Sequence, residues 1–472
     1  MLTELRDDKW KALLDLLQHY YSALSDQSVK PQVVPGSVYA SLPEQLPDTP
    51  ESFEKVLSDT RQLIMPALTH WQHPGFMALF PSNSSFPSLA GEVISSGVAI
   101  NAMMWDTSPA ATELEQRMME WLRDLCGLPS HWQGVLQDTA STATLTAVIA
   151  AREKKTTHRV KNDGFSGLPK MILYTSEHAH YSVEKAAMSA GIGRNNVRKI
   201  QCNADLSMDT DALRMQVEAD LQDGHLPFMV CATLGTTSTL AFDHLQEIAA
   251  VCNAFDLWLH VDAAYAGSAF ILEEERGVMA GIGAADSYVF NPHKWLFTQF
   301  DCSAFYVSDP DDLLTVFSVS AEYLKATREQ GIINYKDWGI PLGRRFRSLK
   351  LWYVLRTFGR KGLQDKISRH LELARTLQQR LTAMDGWIMP YPMHMNVLCL
   401  QYRPERLKTL AEWNEVTRNI LDEINSDGRF YLTGTTVEEM FLIRIVPAQT
   451  EVSRDTIEAL AELIEEITMR YA

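Results

Sequence analysis

Between about residues 86 and 360, short apolar runs alternate with longer stretches of helical spacing. The runs at 171–174, 228–233, 257–261, 287–290 and 304–307 are continuous rather than alternating, as expected of strands buried on both faces. Strands alternating with helices predict a mostly parallel sheet covered by helices. Upstream, Trp10, Leu13, Leu14, Leu17, Tyr21 and Leu24 recur at helical spacing, and Phe53, Val56, Leu57 and Ile64 mark a second amphipathic stretch. The proline-rich, polar segment 31–50 between them reads as an extended connector. Downstream, the pattern predicts a helix over 363–384, a strand at 397–401, a helix over 407–424, strands at 430–432 and 440–446, and a last helix after Ser453. The expected organisation is an N-terminal helical segment (1–85), a large domain (86–360) and a small α+β domain (361–472). The first segment is too small for a core of its own and is expected to pack on a partner subunit.

The 472 residues carry 46% hydrophobic and 22% charged side chains, ordinary for a globular chain. A formal net charge of -16 disfavours nucleic acid and anionic membrane as partners. No apolar run is long enough to span a bilayer. The six cysteines are scattered with no C-x-x-C pair, and read as reduced thiols of a cytoplasmic protein.

The candidate chemistry clusters where the apolar runs end. Ser287–Phe290 leads into Asn291-Pro292-His293-Lys294-Trp295, which presents an imidazole and an amine at the sheet edge where α/β proteins bind ligands. A single lysine is ordinarily a solvated surface group. At such an edge, however, it can form a Schiff base with a carbonyl cofactor. Asp262 ends the run at 257–261, and a carboxylate there requires a partner, such as a protonated ring nitrogen. Ala263 and Ala264 follow and leave room for a flat ring. His180 follows the run at 171–174 and can stack on such a ring. A zinc reading of His178 with His180 lacks a third ligand at suitable spacing, and no metal site is expected. Thr139, Ala140 and Ser141 open a helical stretch whose first N–H groups suit a phosphate, and Thr236-Thr237 follow the run at 228–233. No G-x-G-x-x-G or Walker motif accompanies them. Lysine, aspartate, stacking histidine and phosphate cup together suit pyridoxal phosphate.

These residues also carry a family resemblance. His73-Pro74, Phe80-Pro81-Ser82, Ser108-Pro109-Ala110, Thr139-Ala140-Ser141, Ala179-His180, Ala232 to Thr237, His260 to Gly267, Asn291 to Trp295 and Pro341 to Arg347 span most of the chain. In them the sequence resembles the group II pyridoxal-phosphate decarboxylases, and within these the aromatic-L-amino-acid decarboxylases. The resemblance implies the α/β fold of the aspartate-aminotransferase type (fold type I). It also implies a homodimer with the active site at the subunit interface. Lys294 would hold the cofactor, Asp262 its ring nitrogen, and Ala264 and His180 its two faces. Thr139, Ala140, Ser141 and Asn291 would bind its phosphate. Thr237 would support the ring and His180, and His293 would lie near the substrate carboxylate. Tyr323 matches the tyrosine that protonates the product carbon, where aldehyde-forming relatives carry Phe. The polar stretch 325–337 would be a lid over the substrate.

The matched pocket positions are Trp71, Leu79, Phe80, Pro81, Ser82, Trp105 and Phe300, with Asn101 and Met103 from the partner subunit. Apolar and aromatic walls without an arginine favour an aromatic side chain such as that of tryptophan, 5-hydroxytryptophan, DOPA, tyrosine or phenylalanine. Gly343 stands where histidine-specific and plant tyrosine-specific relatives have Ser. Leu79, Asn101 and Met103 replace the Tyr, Ile and Phe of the animal enzyme, and Asn101 offers a polar group to a ring substituent. The expected reaction is decarboxylation to an arylalkylamine. The alternatives are a decarboxylase of histidine or a glutamate-like acid, or an aldehyde synthase.

Overall fold

A computed structural model describes residues 7–318 and 331–471. The chain divides into two compact units. One holds the chain up to Pro81, Arg375–Pro390 and the chain from Leu400. The other holds Ser82–Ala374 and Tyr391–Cys399.

The second unit is built on a seven-stranded sheet. Its strands are β1 (Gln133–Gln137), β2 (Met171–Ser176), β3 (Val197–Ile200), β4 (Leu226–Thr233), β5 (Trp258–Asp262), β6 (Ser287–Phe290) and β7 (Ser303–Val307), in the order β1-β7-β6-β5-β4-β2-β3. The β2–β3, β2–β4, β4–β5 and β5–β6 pairs are parallel. β7 runs antiparallel to both β6 and β1. This is the mostly parallel α/β sheet expected from the pattern. Strands β2, β5, β6 and β7 are buried along their whole length, which is why they read as unbroken apolar runs. β1 and β3 were not legible: Gln133-Gly134 and Val197-Arg198-Lys199 interrupt the apolar pattern at the two edges of the sheet.

The helix Ala140–Lys155 covers one face of the sheet. Its Ala143, Ala147, Ala150 and Ala151 are buried in one cluster with Met229, Val289 and Phe305. Small side chains let the helix backbone approach the sheet closely. That fixes the helix N-terminus relative to the strand ends.

In the other unit, the N-terminal helix Asp7–Ser22 and the short helix Phe53–Asp59 realise the two amphipathic stretches. Residues beyond them thread along the C-terminal part of the chain. Phe76 bridges Tyr431 in parallel. Met77 N–H donates to Tyr431 O (3.0 Å) and Val29 N–H to Gly428 O (2.9 Å). The smaller sheet is β8 (Trp387–Ile388), β9 (Leu398–Tyr402), β10 (Thr433–Val437) and β11 (Met440–Ile445), in the order β10-β11-β9-β8. The strand expected at 430–432 begins instead at Thr433, because Tyr431 is spent on the bridge to Phe76. Helices Leu410–Asp427 and Arg454–Thr468 both start on capping boxes, at Thr409 and Ser453. The expected helix over 363–384 is the second part of a longer one, Arg347–Thr382, interrupted at Gly359 (φ 64°, ψ 175°). Among the described residues no helix is long and apolar enough to cross a membrane.

Candidate active site

Parallel strands leave a sheet at the same edge, so four of them bring predicted groups to one edge of the larger unit. β1 is antiparallel to β7, which is antiparallel to β6, so β1 also ends at that edge and delivers Thr139 there. β2 leads to His180, β4 to Thr237, β5 to Asp262 and Ala264, and β6 to Asn291 and Lys294.

Local hydrogen bonds hold these exits in register. Asp262 sits opposite Thr233 and Val289 on its two neighbouring strands. Its Oδ1 accepts from Ala264 N–H (2.9 Å), folding the alanine turn back over the carboxylate. Ala264 O accepts from Asn291 N–H and Asn291 O from Lys294 N–H, each at 2.9 Å. The β5 and β6 exits are thereby laced together. Pro292 starts the short helix Pro292–Trp295, and Asn291 is its N-cap. Trp295 anchors that turn: it lies buried, parallel to Tyr265 (4.7 Å, 5°), and its Nε1–H donates to His370 Nδ1 (2.9 Å). His293 and Asn291 are buried, and Lys294 is half-buried.

His180 Nδ1 accepts from Ser182 N–H (3.2 Å) and lies 2.7 Å from Ser182 Oγ. The neutral ring therefore carries its proton on Nε2. Burial lowers the His180 pKa below the ordinary histidine value; Asp262 pulls it up, while Lys294 and Lys185 push it down. The carboxylate and the amine thus act on the same imidazole, as a shared site requires. His293 has its tautomer set the same way, Nδ1 accepting from Cys302 N–H at 2.9 Å. Burial first, and the charge of Lys294 second, lower His293 to about 3. Both histidines are neutral near pH 7.

Thr139 caps the helix Ala140–Lys155, its hydroxyl accepting from Thr142 N–H (3.5 Å). This 16-residue helix points its N-terminus, through Ala140 and exposed Ser141, to the same edge. Thr237 is exposed, whereas its neighbour Thr236 is buried and accepts from Ala241 N–H (3.0 Å). Asn291 Oδ1 is buried without a hydrogen-bond partner among the described residues, so the protein reserves a polar group at this edge. A half-buried amine, a buried carboxylate, a neutral imidazole plate and a capped helix N-terminus fit an anionic, ring-bearing aldehyde cofactor.

Each residue expected at the pocket has a defined setting within its own unit. In the smaller-sheet unit, Trp71 stacks on Phe76 (4.6 Å), Leu79 is exposed, Phe80 is partly covered and Pro81 is buried. The Arg444 guanidinium lies over the Phe80 ring (4.6 Å) and donates to Ala78 O (2.8 Å). Arg444 lies inside β11, where its charge reads as an interruption of an apolar strand. In the other unit, Ser82 is partly covered and half-exposed Phe300 tilts on His293 (4.7 Å, 58°). Asn101 Oδ1 accepts from Arg344 N–H (2.9 Å), its Nδ2 faces Met103 Sδ (3.5 Å), and Met103 O accepts from Lys336 N–H (2.9 Å). Gly343 lies beside Asn101: a Cβ there would be 3.6 Å from Asn101 Nδ2. Tyr323 and the first part of the expected lid lie outside the described residues. Its last part is not a free flap, since Tyr335 is buried and Asn334 Oδ1 accepts from Trp105 N–H (2.9 Å).

Residues 35–403 match the model of the pyridoxal-dependent decarboxylase conserved domain. The chain belongs to the pyridoxal-dependent decarboxylase family. The decarboxylase is 38% identical over 442 residues to phenylacetaldehyde synthase of Arabidopsis thaliana, covering 92% of this chain and 89% of that protein. It is 38% identical over 448 residues to aromatic-L-amino-acid decarboxylase of Manduca sexta, covering 92% and 86%. Its fold superposes on Catharanthus roseus tryptophan decarboxylase, solved with L-tryptophan, with a TM-score of 0.94 at 32% identity over 99% of this chain and 100% of that one. The decarboxylase is a pyridoxal-phosphate enzyme acting on an amino acid.

Proposed function

We propose that the enzyme decarboxylates an aromatic L-amino acid to the arylalkylamine and CO2. The observation that carries the substrate class is Phe300, half-exposed and tilted on His293 beside Lys294. An aromatic wall next to the reacting amine favours a flat apolar side chain.

Pyridoxal phosphate, when bound, supplies a conjugated ring that accepts the electron pair left as CO2 departs. Lys294 would hold it through its ε-amine, and Asp262 would keep its ring nitrogen protonated. His180, Ala264 and Thr237 would position its ring. Thr139, Ala140, Ser141 and Asn291 would hold its phosphate, using the helix N-terminus. His293, held neutral by burial, faces the substrate carboxylate without adding a charge that would stabilise it in the ground state. Tyr323 delivers the proton to the product carbon.

The active site is completed across a homodimer interface, with Asn101 and Met103 reaching the partner's substrate and residues 1–85 packing on the partner subunit. Tyr39 (85% exposed), Leu46 (91%) and Phe86 (82%) support this, being large apolar groups left uncovered on a single chain. The homologous phenylacetaldehyde synthase favours a second reading, an aldehyde product. Tyr323 weighs against it.

The test is incubation with pyridoxal phosphate and single amino acids (tryptophan, 5-hydroxytryptophan, DOPA, tyrosine, phenylalanine, histidine, glutamate), with mass spectrometry of the products. An arylalkylamine is expected. An aldehyde with peroxide would replace the proposal by the second reading, and turnover of histidine or glutamate alone would overturn the substrate class.

A further inference from the structure

β2 and β3 are a parallel pair, with Ser176 opposite Ile200. The chain therefore leaves both strands side by side, and residues just past each end meet. Glu177 and His178 come from one exit and Cys202 from the other. A carboxylate oxygen of Glu177, a ring nitrogen of His178 and Cys202 Sγ all lie within 4.8 Å of one another. None of the three belongs to the cofactor site. Spacing along the chain concealed the set, because Cys202 is distant in sequence from the histidine it approaches.

A further feature makes this more than a chance grouping. The backbone is tied on both sides: Glu177 N–H donates to Ile200 O (3.0 Å) and Cys202 N–H to Glu177 Oε1 (3.3 Å), which orients the carboxylate towards the cysteine.

We propose that Cys202, His178 and Glu177 form a binding site for a zinc-class divalent cation, with water in the fourth position. One sulfur, one nitrogen and one oxygen ligand suit Zn2+, and the thiolate selects against Mg2+ and Ca2+. A tetrahedral zinc holds such atoms about 3.5 Å apart, so the ligands close by about 1 Å, which the exposed Glu177 side chain can supply by rotation. Near neutral pH, binding breaks the S–H bond, forms the S–metal bond and sends one proton to solvent, with no change of oxidation state. The bound ion ties down the turn that carries His180, since Ala179 N–H donates to Ser176 O (3.1 Å) within it.

The experiment uses chelator-stripped holoenzyme titrated with Zn2+ against a competing chromophoric chelator. A parallel titration uses Co2+, read by its d–d bands to the red of the cofactor absorption. One zinc per chain, a thiolate-to-cobalt charge-transfer band and release of about one proton per ion are expected. Cys202→Ser and His178→Ala are each expected to weaken zinc binding roughly a hundredfold and to abolish the tetrahedral cobalt spectrum. Glu177→Gln, an exposed and conservative change, is expected to weaken it roughly tenfold, and His131→Ala, on an exposed loop elsewhere, to leave it unchanged. Retained circular dichroism and cofactor absorbance separate lost ligands from lost folding. Equal zinc affinity in wild type, Cys202→Ser and Glu177→Gln would overturn the proposal, as would failure of the wild type to retain zinc against the chelator.

Discussion

The side-chain carbonyl of Asn101 accepts the backbone N–H of Arg344 at 2.9 Å, and its amide nitrogen faces the empty side of Gly343. The polar atom expected to read a substrate's ring substituent is thus already committed to the loop that carries Gly343. If Asn101 sets selectivity, it does so through where that loop sits. Asn101→Ile removes the acceptor, and the ratio of kcat/KM between tryptophan and tyrosine is expected to change by roughly tenfold. Steady-state kinetics on both substrates checks this, and an unchanged ratio would show that the loop position does not govern selectivity.

Asp262→Asn keeps the shape of the side chain and the bond to Ala264 N–H but removes the charge. A fall in kcat on the order of a hundredfold or more is expected, with the fold intact. Because Asp262 is the group that raises the His180 pKa, the variant is also expected to lower His180 further. The first outcome is read from turnover, the second from a histidine titration by NMR.

His260 gives a stability prediction with a definite sign. Burial lowers it to about 4 from the ordinary 6.5, with Asp262 acting in the opposite direction. Between those pH values the unfolded chain takes up a proton that the fold refuses. Its contribution is therefore complete above about pH 6.5 and is lost as pH falls towards 4. Buried Asp243, raised to about 6, has the opposite slope, so the comparison must be between variant and wild type. His260→Gln is expected to lose about 1 kcal/mol less than wild type between pH 6.5 and 5.5. Urea unfolding at the two pH values measures it, and parallel curves would contradict the assignment.

Gly267→Ala tests the packing behind the β5 exit. A Cβ there would overlap Phe290 Cβ and lie 2.6 Å from Tyr288 Oη, and both side chains are fully buried. A loss of about 1–3 kcal/mol is expected, read as a lower denaturation midpoint. An unshifted midpoint would mean that β6 can move away.

Much of this protein was determined by local pattern. Buried parallel strands must be apolar on both faces, so β2, β4, β5, β6 and β7 stood out as continuous runs, and the residues after β2, β4, β5 and β6 were the natural place for chemistry. Capping residues marked the start of the last helix at Ser453. The edge strands β1 and β3 escaped because an edge does not require a continuous apolar run, and the strand expected at 430–432 moved because a distant residue, Phe76, claimed Tyr431. Only tertiary structure decided which backbone donors set the tautomers of His180 and His293, that Arg444 lies on Phe80, and that Asn101 serves Arg344. It also decided that Cys202 meets His178. Each is a contact between residues brought together by strand pairing or loop packing, and local spacing carries no information about which distant group fills a given hydrogen bond.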